Sequence, residues 1–276
     1  MPPASPLTTP PSSRLDPFGQ LLRRSRQGRG WSQMALAERA DTSTRHLSFM
    51  ETGRALPSRE MVLRLADRLA VPLRERNAWL VAAGYAPMYP QRPLDDPALA
   101  AGRAAIDRVL RAHEPYPALA LDRHWHVVAM NRAVAPLLAG LPAELLAPPV
   151  NVLRLSLHPQ GLAPRIANLG QWRHHLLSRL EALADGSGDA TLAALLEELR
   201  AYPVPPHEPV SLEGEHAGLV VPLRLLTEAG PLSFISTTTV FGTPVDVTLQ
   251  ELAIETLFPA DEATAQLLRE WAAAAA

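Results

Sequence analysis

Cysteine is absent from the 276-residue chain. That excludes disulfides, thiolate metal ligands and cysteine nucleophiles, and it fits a reducing, cytoplasmic compartment. Lysine is absent too: all 26 basic residues are arginine, a bias that a GC-rich genome explains. No run of about 18 or more apolar residues occurs, so no membrane span is expected. The opening MPPASPLTTPPSS has neither the basic start nor the apolar block of a secretory signal. Also missing are G-x-S-x-G, a phosphate-cradling P-loop and G-x-G-x-x-G, which argues against the common hydrolase and nucleotide-dependent enzymes.

What is present is ample apolar material, 47% of residues, enough for cores in about two domains. The net charge of −2 hides an asymmetry. Residues 1–90 carry 13 arginines against 7 acidic residues, a net of +6, whereas the remainder carries 13 against 21, a net of −8. A basic part joined to an acidic part points to a polyanion binder with an appended module.

Residues 1–14, rich in Pro, Ser and Thr, read as a disordered tail. Five short helices are expected over residues 15–84. Phe18, Leu21, Leu22 and Ser25 form the first stripe, ended by the Gly28–Gly30 stretch. Ser32 caps the second helix, the third spans Ser43–Thr52 and stops at Gly53, Ser58 caps the fourth, and Pro72 opens the fifth. A linker follows over residues 85–98. In residues 99–270 the pattern gives a helix near Leu99–His113 and strands around Ala118–Leu121 and Val127–Met130. A helix from Asn131, an irregular stretch over 141–163 and a helix from Pro164 to about Ala184 come next. Beyond the GSGD break lie a helix over Ala190–Tyr202, a Pro- and His-rich loop, and strand-like runs at Leu219–Leu226, Leu232–Phe241 and Val245–Leu249. Five strands with inserted helices describe an α+β domain.

The third helix is two-sided. At 100° per residue Leu47 and Met50 lie about 60° apart and face the core. Arg45, Ser48, Phe49 and Thr52 fall at about 160°, 100°, 200° and 140° from Leu47. A polar outward face on a helix that follows a short turn suits the DNA major groove. A plain helical bundle explains the caps and leucines but not an outward Phe among groove-suited groups. These residues resemble the Xre/Cro-like helix-turn-helix family: Ser32-Gln33, Leu36-Ala37, Leu47…Met50-Glu51…Gly53-Arg54 and Pro57-Ser58 carry the likeness over about Phe18–Gly84. The resemblance implies that Gln33 touches a phosphate and braces the reading helix. It implies that Thr44, Arg45, Ser48 and Phe49 face bases, and that Arg54, Ser58 and Arg59 hold the DNA backbone. Phe49 departs from the polar readers usual at its position; a thymine methyl is a fitting contact.

In the second part, ALALDRHWHVVAMNRAV resembles the opening of a PAS-like sensor. NVLRLSLHPQGLAPRIANLGQWRHHLLSRL and FISTTTVFGTPVDVTLQELAIETLFPAD are similar to the ligand-binding domain of MmyB-like transcription regulators. The resemblance implies an all-α helix-turn-helix domain joined to an α+β PAS-like domain with a five-stranded antiparallel sheet, which senses a small, apolar or fatty-acyl-like molecule. Residue spacing adds one feature. Ile166, Leu169, Leu176, Leu177, Leu180 and Leu183 form a core stripe, while Asn168, Trp172, His175 and Arg179 form a second stripe about 60° wide. A pocket reading gives apolar contact to Trp172 and Phe241, beside Thr239, and the polar end of the ligand to Asn168 or His175; a dimer contact or a half-buried polar seam also fits. The pairs His124/His126 and His174/His175 come without an obvious third ligand, so they read as turn and surface histidines, with no metal or cofactor expected. Asp246 and Glu251–Glu255 read as surface charges. The expectation is a cytoplasmic, homodimeric regulator that binds double-stranded DNA at a palindromic operator; the alternative is an enzyme or small-molecule carrier with an autoregulatory DNA-binding domain.

Overall fold

The computed structural model describes residues 17–203 and 220–274, so the expected tail, and all but the first residue of the Pro- and His-rich loop, lie outside the described residues. The chain divides into two compact units: Met1–Gln91 with Val245–Gln250, and Arg92–Pro244 with Glu251–Ala276. Among the described residues, no helix is long and apolar enough to cross a membrane.

The first unit contains α1 (Phe18–Gly28), α2 (Gln33–Arg39), α3 (Thr44–Glu51), α4 (Arg59–Arg68) and α5 (Leu73–Ala82). Three of them start on a serine whose Oγ accepts a backbone N–H three residues on: Ser32 from Ala35, Ser43 from His46, and Ser58 from Met61. Each such cap contributes about 1 kcal/mol. Gly53, at φ 72°, ends α3 in the left-handed conformation expected of it. Leu22, Leu36, Leu47, Met50, Leu65 and Trp79 fill the core, with Phe18 edge-on to the Trp79 ring at 5.6 Å. Gly19 lets α1 approach α3: a Cβ there would sit 2.6 Å from the carbonyl oxygens of Met50 and Glu51.

Val245–Leu249, expected as a strand, is not one. The Asp246 carboxylate accepts the Thr248 N–H at 2.8 Å and starts a short helix, so capping overrides the β-branched composition. Asp246 and Val247 are buried, and the Val247 N–H donates to Pro90 O at 2.9 Å. Gln250 Oε1 accepts the N–H of Leu73, the first residue of α5, whose N-cap Pro72 has no side-chain acceptor.

The second unit runs α6 (Ala100–Ala112), β1 (Ala118–Leu121), β2 (Val127–Met130), α7 (Ala143–Leu146), α8 (Val152–Leu157), α9 (Leu169–Ser187), α10 (Ala190–Arg200), β3 (Leu223–Thr227), β4 (Gly230–Val240), β5 (Ala253–Pro259) and α12 (Glu262–Ala274), the short Val247–Gln250 helix being α11. The five strands form one antiparallel sheet in the order β2-β1-β5-β4-β3. Ala120 faces Ile254 across β1 and β5, and Thr237 faces Thr256 across β4 and β5, their hydroxyls 2.6 Å apart. The central strand β5 takes in Glu255, the end of the stretch Glu251–Glu255 read from sequence as surface charge. Trp172, Leu176, Leu180, Leu195 and Leu199 from α9 and α10 pack in one core with Leu225, Leu232 and Phe234 of the sheet.

Other boundaries differ for local reasons. The helix expected from Asn131 is a 3-10 segment, Arg132–Leu138, with Pro136 inside it. Pro164 lies in a separate 3-10 turn, and α9 begins only after Asn168 and runs through Gly186 to Ser187. Leu183, read as part of the core stripe, is 44% exposed, because the buried line of α9 runs through Trp172, Leu176, Leu180 and Ala184. The stretch read as irregular holds α7 and α8.

Candidate nucleic-acid interface and sensor site

On α3 the apolar and polar sides separate as helical geometry requires: Leu47 and Met50 are buried, Thr44 and Arg45 exposed, Ser48 and Phe49 half-buried. The Arg45 guanidinium carbon lies 5.3 Å from the Phe49 ring centroid, so the ring is partly covered by a cation–π contact rather than standing alone. Arg54, Ser58 and Arg59 are exposed around the start of α4, where Ser58 spends its hydroxyl on the cap. Gln33 reaches across to the end of α3, its Nε2 donating to Glu51 Oε2 at 2.8 Å.

Glu51 is the centre of a network that spacing arguments missed. Its carboxylate accepts Arg26 Nε at 2.6 Å and Nη2 at 2.9 Å, while Arg26 Nη1 donates to Trp31 O. Burial pushes the Glu51 carboxyl up, but the hydrogen bonds from Arg26 and Gln33, with the charges of Arg26 and Arg23, outweigh it and hold the group below its ordinary value. The bond to Glu51 raises Arg26 in turn. One signal was available. Arg26 continues the Phe18–Leu22 stripe four residues on, and Glu51 follows Leu47 by four, so both charges fall in line with buried positions and need each other.

In the second unit the α9 stripe is largely engaged within the fold. Asn168 Nδ2 donates to Pro222 O at 2.7 Å and its Oδ1 accepts Arg224 N–H at 3.1 Å. Trp172 is 7% exposed, in the core, and its Nε1–H donates to Ser156 Oγ at 2.8 Å. Its ring lies 5.7 Å from that of His175, which is half-buried; burial first, then the Arg179 charge, lowers the His175 pKa and favours a neutral imidazole. Arg179 stacks on Trp125 at 4.5 Å and bonds Glu255 and Thr238. Thr239 is exposed on β4 opposite Ile254, and Phe241 follows the strand half-buried. Neither is drawn to Trp172 by a hydrogen bond or ring contact of the kinds that tie Trp172 to Ser156 and His175. Elsewhere in this unit a small open cleft has Pro115, Pro136, Leu268 and Trp271 as walls, with the Glu114–Arg132 ion pair beside them.

The histidine pair of the β1–β2 turn does have a third partner: Asp122 Oδ2 lies 3.1 Å from His126 Nδ1. His124 Nε2 lies 3.0 Å from Asp189 Oδ2.

Residues 103–270 match the family model described as MmyB-like transcription regulator ligand binding domain, more than half of the chain, and residues 17–79 match a helix-turn-helix domain. The chain is similar to multiprotein-bridging factor 1 of Schizosaccharomyces pombe, 29% identical over 68 residues. That match covers 25% of this chain and 46% of the relative, so the chain spans less than half the length of that protein. Among solved structures it is similar to the clp gene regulator ClgR from Corynebacterium glutamicum, at 26% identity and a TM-score of 0.22, over 36% of this chain and 90% of that one. It is also similar to an RNA-binding light-oxygen-voltage receptor, at 14% identity and a TM-score of 0.28, over 94% of this chain and 64% of that one.

Proposed function

Since the chain belongs to the MmyB-like transcription regulator ligand-binding-domain family and is a DNA-binding transcription regulator, we propose that α3 reads a palindromic operator as one half of a homodimer while the second unit senses a small apolar, fatty-acyl-like molecule. The observation that carries the DNA half is the sidedness of α3: Thr44 and Arg45 stand free of a core that Leu47 and Met50 complete. One such helix reads only a few base pairs, and two-fold pairing doubles the site. Arg45→Ala is expected to cost about 1–3 kcal/mol at the operator and to relax one base preference. Arg54→Ala or Arg59→Ala is expected to weaken all sequences alike and to flatten the salt dependence. Footprinting across a salt series separates the two. A footprint without two-fold symmetry, or full specificity in Arg45→Ala, defeats the reading.

For the effector, the polar contact falls to His175, because both ends of the Asn168 amide are committed to backbone. An effector shifts a regulator only by binding its two conformations unequally. Native mass spectrometry of the purified protein is expected to find a copurifying apolar molecule. His175→Ala should blunt the change in operator affinity that this molecule produces, with affinity in its absence unchanged. An undiminished response in that variant moves the ligand away from α9.

A further inference from the structure

We propose that the β1–β2 turn binds a divalent transition-metal ion of the zinc type through the Asp122 carboxylate and the His124 and His126 imidazoles. Each of the three offers one ligand atom, and these atoms lie within 4.8 Å of one another. His126 Nδ1 and Asp122 Oδ2 are 3.1 Å apart. Bonds of about 2.0–2.2 Å to a tetrahedral ion set ligand-to-ligand edges near roughly 3.3 Å. That edge is already in place, and only a modest closing of the remaining ligand atoms is needed.

The turn is held in the shape this requires. Asp122 Oδ1 accepts the N–H groups of His124 and His126 at 2.8 and 2.9 Å, which uses one carboxylate oxygen and leaves the other toward the imidazole. Trp125, between the histidines, adopts φ 68°, an unfavourable conformation for a bulky side chain, and buries its indole in the core under Arg179. Its inward turn leaves the histidines on the outer side, with side chains 22% and 23% exposed. Buried Asn151 fixes the backbone from beneath: its Nδ2 donates to His124 O at 2.8 Å while its Oδ1 caps α8. The backbone hydrogen bonds account for one oxygen of Asp122, and the other is turned to the His126 imidazole with that of His124 nearby.

A second feature points to the same use. Asp189 sits behind His124, and a carboxylate hydrogen-bonded to one imidazole nitrogen fixes the tautomer and strengthens the other nitrogen as a metal donor. Arg123 and the Thr191 N–H hold Asp189 in turn, at 2.7 and 2.8 Å. Two imidazoles and one carboxylate favour zinc, cobalt, nickel or copper over magnesium and calcium, which take oxygen ligands. Three protein ligands leave a coordination position on the solvent side for water.

Calorimetric titration of the intact chain with Zn²⁺ tests the site, with Mg²⁺ as the contrast ion. One saturable zinc site, no magnesium binding, and loss of the zinc site in His126→Ala with its circular dichroism unchanged are the expected results. Asp189→Asn should weaken zinc about 10–100-fold at the same stoichiometry, as outer partners of a metal ligand do. Without any variant, Cu²⁺ added to the wild-type chain should broaden the amide resonances of residues 122–126 first. No saturable zinc binding, binding retained by a folded His126→Ala, or broadening centred elsewhere overturns the proposal.

Discussion

Glu51→Ala is expected to destabilise the helical unit strongly. The substitution removes the carboxylate that the buried Arg26 side chain meets in paired geometry, at 2.6 and 2.9 Å, and takes the brace from Gln33 as well. Breaking a buried pair from one side costs about 3–5 kcal/mol, because the remaining charge stays desolvated. Against a total stability of about 5–15 kcal/mol that is a large share. Replacing both partners, Arg26→Met with Glu51→Leu, should recover most of the loss, since the pair itself contributes little beyond an apolar substitute. The same pair carries a pH signature. The folded-state pKa of Glu51 lies below its unfolded value, so its contribution is fully present above the unfolded carboxylate range and is lost as pH falls through the folded value. Thermal melts followed by circular dichroism from pH 7 downward should show this acid loss in the wild type and a flatter profile in the double variant. Equal melting temperatures for Glu51→Ala and wild type at pH 7 would remove the network from the stability of the fold.

Trp172→Ala carries the second large effect, about 3–5 kcal/mol, on the other unit. The indole is in contact with the α9–sheet core, and truncation leaves both a cavity and a Ser156 hydroxyl without its donor. Trp172→Phe separates the two losses: it keeps most of the apolar contact and should cost about 1–3 kcal/mol for the unpaired hydroxyl and the smaller ring. Urea unfolding of the two variants should therefore show a graded drop. If Trp172→Ala keeps wild-type stability and loses only its response to the copurified molecule, the side chain belongs to a pocket wall and not to the core.

Both effects bear on what a sequence reveals. The helical unit was legible because its elements are marked at their ends. Ser32, Ser43 and Ser58 announce three starts, and Leu47 and Met50 set the phase of α3. The Arg26–Glu51 pair joins residues 25 apart, and only the alignment of each with an apolar stripe betrayed it. The sheet was harder. β5 reads A-I-E-T-L-F-P, with Glu255 bonded to Arg179 on α9, so a charge satisfied by a distant helix passed for surface. The stretch before it, V-D-V-T, has strand composition but is captured by the Asp246 cap. The α9 stripe read from spacing as separate from the core divides in the structure: Trp172 joins the buried line of Leu176, Leu180 and Ala184, and Asn168 precedes the helix. Its partners (Pro222, Ser156 and Glu255) lie 54, 16 and 76 residues away, beyond any local pattern. Asp122 escaped notice as a companion of His126 because an Asp before a turn is ordinarily spent on backbone amides, and here only one of its oxygens is.

The six residues Val245–Gln250 give the chain an inheritance problem. They are encoded between two strands of one unit and counted in the body of the other, where Val247 is buried and Gln250 supplies the acceptor for the first amide of α5. The helical unit is thus not a cassette that a recombination event could lift out at one breakpoint. An exchange after Gln91 would strand the start of α5 and discard a buried valine, and a swap of the later strands would import a foreign hexapeptide into the first unit. Substitutions in this hexapeptide therefore act on the stability of the first unit, although the chain reaches them only after β4.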